Sequence, residues 1–266
     1  MKLRILSIAL VMISLFSCSS DDTSMNDTNN SDYFPLTTGN EWNYSNSSQT
    51  QEEQEVTDDE MLTITSENDN AYAFNSSADP LERGIITGIL ANGNLSKQNG
   101  QLVYNGEYVV DLSLYNLDNL TIPLTDLVVY DINASAGENL SNISNTIDQT
   151  FNIQGQAIPL VIEYSLNTQQ NEILESYNVS GTSYENVLKS SVSLTLEVNA
   201  DIMVSIPLLE EQEVLTSSNY YAENIGLIYS ENQANYNFED LSQFGVPNMD
   251  LTSIDSSQSI ESYVVE

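Results

Sequence analysis

Residues 192–206 read VSLTLEVNADIMVSI, and the even positions are Val192, Leu194, Leu196, Val198, Ala200, Ile202, Val204 and Ile206. The odd positions are Ser193, Thr195, Glu197, Asn199, Asp201, Met203 and Ser205, so Met203 alone breaks the alternation. A period of two puts successive side chains on opposite faces of a strand, with one face on a core and the other in water. A straight strand of this length would measure about 50 Å, well beyond an ordinary strand, so a bend or hairpin is expected around Asn199–Asp201. The surrounding sheet is expected to be antiparallel.

The same pattern continues outward. Asn92-Gly93, Asn99-Gly100 and Asn105-Gly106 each supply the positive φ that tight hairpin turns need. They punctuate apolar segments at Ile85–Leu90, Leu102–Tyr104 and Tyr108–Tyr115, and Gln154-Gly155 stands likewise between Phe151–Ile153 and Ile158–Tyr164. Leu160-Val161-Ile162 is continuously apolar and suits a strand covered on both faces. No long amphipathic helix is expected. Residues 239–249, EDLSQFGVPNM, allow one helical turn before Gly245 and Pro247 stop it, and Glu261–Val265 reads as a closing strand. The expected fold class is all-β, and residues 33–266 are expected to form a single antiparallel β domain. A division into two lobes would fall near residues 133–146.

Composition narrows the chemistry. The chain carries 39 Asp and Glu against five Lys and Arg, a formal net charge of −34. Binding to nucleic acid or anionic lipid relies on basic residues displacing counterions, so nucleic-acid binding is excluded. There is no histidine, which removes the Ser-His-Asp triad, the Cys-His pair and ordinary histidine-bearing zinc sites. Carboxylates are too abundant for a pair of them to mark a glycosidase. No catalytic residue, metal site or cofactor is expected, and the chain is read as non-enzymatic. Thr57-Asp58-Asp59-Glu60 and Glu67-Asn68-Asp69-Asn70 offer hard oxygen ligands but lack the spacing and glycine of a calcium loop. Solvated acidic loops are the expected reading.

The amino terminus supplies an address. Lys2 and Arg4 precede an apolar run, Ile5–Phe16, interrupted only by Ser7 and Ser14, and Leu15-Phe16-Ser17-Cys18 ends on the only cysteine of the chain. The run is too short to span a bilayer and has the layout of a secretory signal. With a small residue before a lone cysteine it resembles a bacterial lipoprotein signal. That resemblance implies cleavage of residues 1–17 and lipidation of Cys18, palmitate included. Residues 18–32 then form the lipidated cysteine and an acidic tether, since 19–32 contain no apolar residue but Met25. Ser19 with Asp21-Asp22 is similar to the export signal that Bacteroidota, flavobacteria especially, place on surface lipoproteins. The expected location is the outer membrane, facing outward, with the periplasmic side as the alternative.

Three further segments carry a resemblance. Tyr33-Phe34-Pro35-Leu36 followed by Gly39-Asn40-Glu41-Trp42-Asn43-Tyr44 resembles the opening of a broad set of uncharacterised Bacteroidota lipoproteins. Tyr184-Glu185-Asn186-Val187-Leu188-Lys189 resembles their middle motif, and Tyr220-Tyr221-Ala222-Glu223-Asn224-Ile225-Gly226-Leu227-Ile228 their late one. The resemblance implies a strongly curved antiparallel sheet with little helix, similar to the half-barrels of periplasmic lipoprotein carriers. It supplies no catalytic residue. Trp42 and Tyr44 share one strand face and are read as core, with a stacking platform as the alternative for Trp42. The expected activity is binding or an accessory role. The candidate partners are the membrane through the anchor, another surface protein, an apolar ligand held in the half-barrel, and a glycan. The fifteen tyrosines and the many Asn residues motivate the last of these. No ligand-binding residue is singled out.

Overall fold

The computed structural model describes residues 31–50, 55–79, 82–110, 119–153, 156–201, 204–240 and 252–266. Cys18 and the rest of the signal and tether through residue 30 lie outside that set. So do Gln154-Gly155, residues 111–115 of the Tyr108–Tyr115 segment, and most of 239–249.

Among the described residues the elements are β1 (Glu41–Thr50), β2 (Val56–Asn68), β3 (Ala71–Ser76), α1 (Ile85–Leu90), β4 (Gly93–Gln98), β5 (Gln101–Val110) and β6 (Leu120–Asp131). They continue with β7 (Glu138–Ile153), β8 (Gln156–Val179), β9 (Thr182–Asp201), β10 (Ser205–Ala222), β11 (Gly226–Tyr236) and β12 (Thr252–Val264). All twelve strands belong to one antiparallel sheet in the order β6-β5-β4-β3-β2-β1-β12-β11-β10-β9-β8-β7. The chain is thus a meander, and β1 pairs with β12 to join its two ends, from Glu41↔Val264 to Thr50↔Ile254. The expected curvature is present and continues until the sheet is nearly closed as a barrel with one unsealed seam.

The opening stretch follows its period through Ala200, whereas Val204, read as inward, is exposed beyond the end of β9, and Ile202 and Met203 lie outside the described residues. Val192, Leu194, Leu196, Val198 and Ala200 are buried inside the barrel, while Ser193, Thr195, Glu197 and Asn199 are half-exposed outside. The chain reverses immediately after β9, with Ser205↔Asp201 and Ile206↔Ala200 as the first pairs of the β9–β10 hairpin. No helix among the described residues is long and apolar enough to cross a membrane. The inward faces of the strands are mainly apolar, with a minority of buried polar side chains.

Two of the three Asn-Gly turns are corrected. Asn99-Gly100 does turn β4 into β5, with φ of 52° and 88°. Gly93 instead opens β4 and Gly106 lies within β5, where the two face each other across the ladder. Their role is to leave a bare patch for the ring of Tyr104. A Cβ on Gly93 would lie 2.6 Å from Tyr104 Cε2, and one on Gly106 2.6 Å from Tyr104 Cζ. Ile85–Leu90, set among the strand segments by its apolarity, is the helix α1. Tyr104 donates its hydroxyl to Ile89 O at 2.7 Å, so the aromatic on the glycine patch holds this helix against the barrel interior.

The seam lies between β6 and β7, the two ends of the sheet, which no backbone ladder joins. Buried side chains of β8 reach the edge of β6 directly. Tyr164 donates to Pro123 O at 3.1 Å, Thr168 donates to Val128 O at 2.7 Å, and Gln170 Oε1 accepts from Asp131 N at 3.5 Å. From β7, Ser141 Oγ accepts from Val128 N at 2.9 Å and Gln149 Nε2 donates to Asn119 O at 2.6 Å. The sheet therefore closes like a scroll, with the edge of β6 against the inner face of β8. Of the described side chains of β7 only Phe151 is buried.

Candidate functional site

The residues of the three sequence segments converge at one end of the barrel, where they do structural work. The Phe34 ring lies 5.0 Å from Trp42 and 6.2 Å from Tyr221. Trp42 is buried and donates its indole N–H to Ile225 O at 2.6 Å, and Tyr44 donates to Leu227 O at 3.0 Å. Gly226 has φ of +114°, and a Cβ there would sit 2.9 Å from Trp42 Nε1. Asn186 Nδ2 donates to Glu223 Oε2 at 2.9 Å, and Asn224 N donates to Asp32 O at 2.6 Å. Trp42 is thus a packing anchor with no exposed face for a ligand.

The acidic clusters separate. Asp59 lies on the opposite face of β2 from Asp58 and Glu60, so the three carboxylates do not share one face, and Asp69 and Asn70 form a hairpin turn with φ of 49° and 64°. Among the described residues no three metal-ligating side chains gather. Glu60 points into the barrel and is buried. Its Oε2 accepts from Asn46 Nδ2 (2.7 Å), Thr87 Oγ1 (2.7 Å), Gly84 N (2.9 Å) and Gln258 Nε2 (3.1 Å). Its Oε1 accepts from Ser76 Oγ at 2.6 Å. These bonds tie the segment before α1 to β1, β3 and β12.

Helix α1 occupies part of the barrel interior. Ile86, Ile89 and Leu90 of α1 enter it and meet Phe34, Leu194 and Tyr221 around an enclosed apolar cavity of about 40 Å³. Ligand pockets are typically about 300–1,000 Å³. This cavity is too small for an acyl chain. Part of the interior is also polar. Gln170, Ser190, Asn219, Ser230, Gln258 and Asn46 occupy successive strands along one inward-facing row, all buried.

A larger concavity lies on the outside. It has a volume of about 620 Å³ and crosses β10, β11, β12 and β1. Its floor follows from register. The outward row Ser218–Glu231–Ser257–Ser47 runs beside the row Thr216–Gln233–Asp255–Gln49, and Glu55 lines it as well. Gln233 Nε2 donates to Asp255 Oδ1 at 3.0 Å, fixing that carboxylate, and Ser47 donates to Glu55.

Tyr229 lines this groove next to an aromatic pad. Tyr177 stacks on Tyr220 at 4.2 Å and 18°, and Tyr229 lies 5.9 Å and 5.7 Å from the two rings. In the ladder Tyr177 is opposite Tyr184 and Tyr220 is opposite Lys189, so the end of the β8–β9 hairpin curls over the outer face. Asn186, with φ of 50°, and the register shift between Gln170 and Glu172 supply the bend. Lys189 Nζ sits 5.1 Å from the centre of the Tyr220 ring. Burial, then Tyr220, Tyr229 and Glu231, push the Tyr177 hydroxyl up to about 12, and burial with Glu231 raises that of Tyr229. Tyr177 and Tyr229 therefore stay neutral at ordinary pH and act as donors, acceptors and apolar faces.

No family model, curated protein or solved structure matches the chain. Sequence reading counted the tyrosines without locating this site, because Tyr177, Tyr220 and Tyr229 come from three strands. What joins them is the folded-over hairpin end, which leaves no local signature.

Proposed function

We propose that the protein is a non-enzymatic, lipid-anchored surface domain of an outer membrane that binds glycan in the groove across β10, β11, β12 and β1. The observation that carries this reading is Tyr229 and its aromatic pad beside a groove floored by hydroxyl, amide and carboxylate groups. An aromatic face accepts the C–H face of a sugar ring, and Ser, Gln, Glu and Asp side chains match its hydroxyls. The lipid anchor at Cys18 rests on the amino-terminal sequence. Carrier-like binding of an apolar ligand is the second reading, and the apolar cavity beside α1, at about 40 Å³, is too small as it stands for an acyl chain.

Native gel electrophoresis through a panel of soluble polysaccharides tests the main reading. Retardation by at least one polymer, relieved by Tyr229→Ala, is expected, and unchanged mobility throughout the panel would overturn it. For the anchor, Cys18→Ser should abolish incorporation of labelled palmitate and release the protein from the membrane fraction.

A further inference from the structure

The groove also has a direction and a sign, and from these, resting on the glycan reading, we infer that its ligand is a neutral, extended polysaccharide segment lying across the strands. The two floor rows run perpendicular to the strands and present one polar side chain per strand. Adjacent strands are ~4.8 Å apart, so β10 to β1 spans ~14 Å with a hydrogen-bonding group at each step. That step is close to the length of one sugar ring, so an extended chain meets equivalent partners on successive units. A chain running along the strands would meet groups alternately facing it and the barrel interior.

Sign comes from Glu55, Glu231 and Asp255, all lining the groove in a chain of formal net charge −34. Their oxygens accept hydrogen bonds from sugar hydroxyls, and the same charges repel uronic-acid or sulfated polymers. Tyr229, at the β11 position next to Glu231, offers the ring face on which one unit stacks.

The test is calorimetry of the folded domain with neutral hexose oligosaccharides of graded length, taken from a polymer that retards it, and with an anionic polymer. Affinity should rise with each unit until the chain spans the four strands, at about three units, and then level off. Gln49→Ala, an exposed change at the β1 end, should weaken the longer oligomers about 5–10-fold, the loss of one hydrogen bond, and leave the shortest unaffected. Tyr229→Ala should weaken all lengths alike. Affinity independent of length, equal weakening of all lengths by Gln49→Ala, or stronger binding of the anionic polymer would overturn the crosswise, neutral assignment while leaving glycan binding standing. Absence of binding to every oligomer and polymer would overturn both.

Discussion

Glu60 joins strand to helix through amide, hydroxyl and backbone donors, and its carboxylate lies inside the barrel. Replacing it by Gln sets an NH₂ group against donors that have nowhere else to turn. Glu60→Gln should therefore cost about 1–3 kcal/mol, the penalty of an unsatisfied buried polar group, read from the midpoint of urea unfolding. An unchanged midpoint would mean that the network contributes nothing. Tyrosines make the second prediction at this scale. Burial raises the hydroxyls of Tyr104 and Tyr177 to about 12, and those of Tyr44, Tyr108 and Tyr130 well above their ordinary value. An unfolded tyrosine ionises near 10, so these groups favour the folded state fully below about pH 10. That contribution is lost as pH rises from 10 towards 12, because the unfolded chain gives up its protons first. Tyrosinate absorbance should show exposed tyrosines titrating reversibly near pH 10, with the buried set following only as circular dichroism reports unfolding. Buried tyrosines that titrate with the exposed ones, before unfolding, would contradict the packing described.

Element by element, local rules succeeded where the sequence carries the whole cause. The β9 alternation and the Asn99-Gly100 turn are such cases, because face and turn type depend on side chain and φ alone. They failed at Asn92-Gly93 and Asn105-Gly106, where glycine serves a tertiary contact and not a turn. Gly106→Ala should force Tyr104 off the patch, loosen its bond to Ile89 O and cost about 1–3 kcal/mol, as overpacking usually does. Thermal melting measures the loss, and increased proteolysis near α1 would locate it. The helix itself was invisible to periodicity. Six residues are too few to show a period of 3.6, and α1 is held by Glu60 and Tyr104 rather than by its own propensity.

At the scale of the whole molecule, charge and closure dominate. A formal net charge of −34 makes the compact state repel itself, and salt shortens the range of that repulsion from about 30 Å at 0.01 M to about 3 Å at 1 M. The melting temperature should rise by several degrees over that interval, and a flat or falling curve would show that acidic repulsion is already relieved within the fold. By itself the sequence determined an acidic, all-β, antiparallel chain with apolar faces turned inward, because alternation and composition are sums over neighbours along the chain. Only the tertiary structure decided that Ser217, Asn219, Ser230, Asn232 and Gln258 face inward despite their polarity. Several bond within their own strand or to Glu60, as Ser217 does to Asn219 Oδ1 at 3.0 Å and Ser230 to Asn232 Oδ1 at 3.1 Å. Closure as a scroll, and the gathering of Tyr177, Tyr220 and Tyr229 beside an outer groove, were decided there too. Both depend on how far a sheet curls and which strand end folds over it, and those are properties of strands that meet only in space.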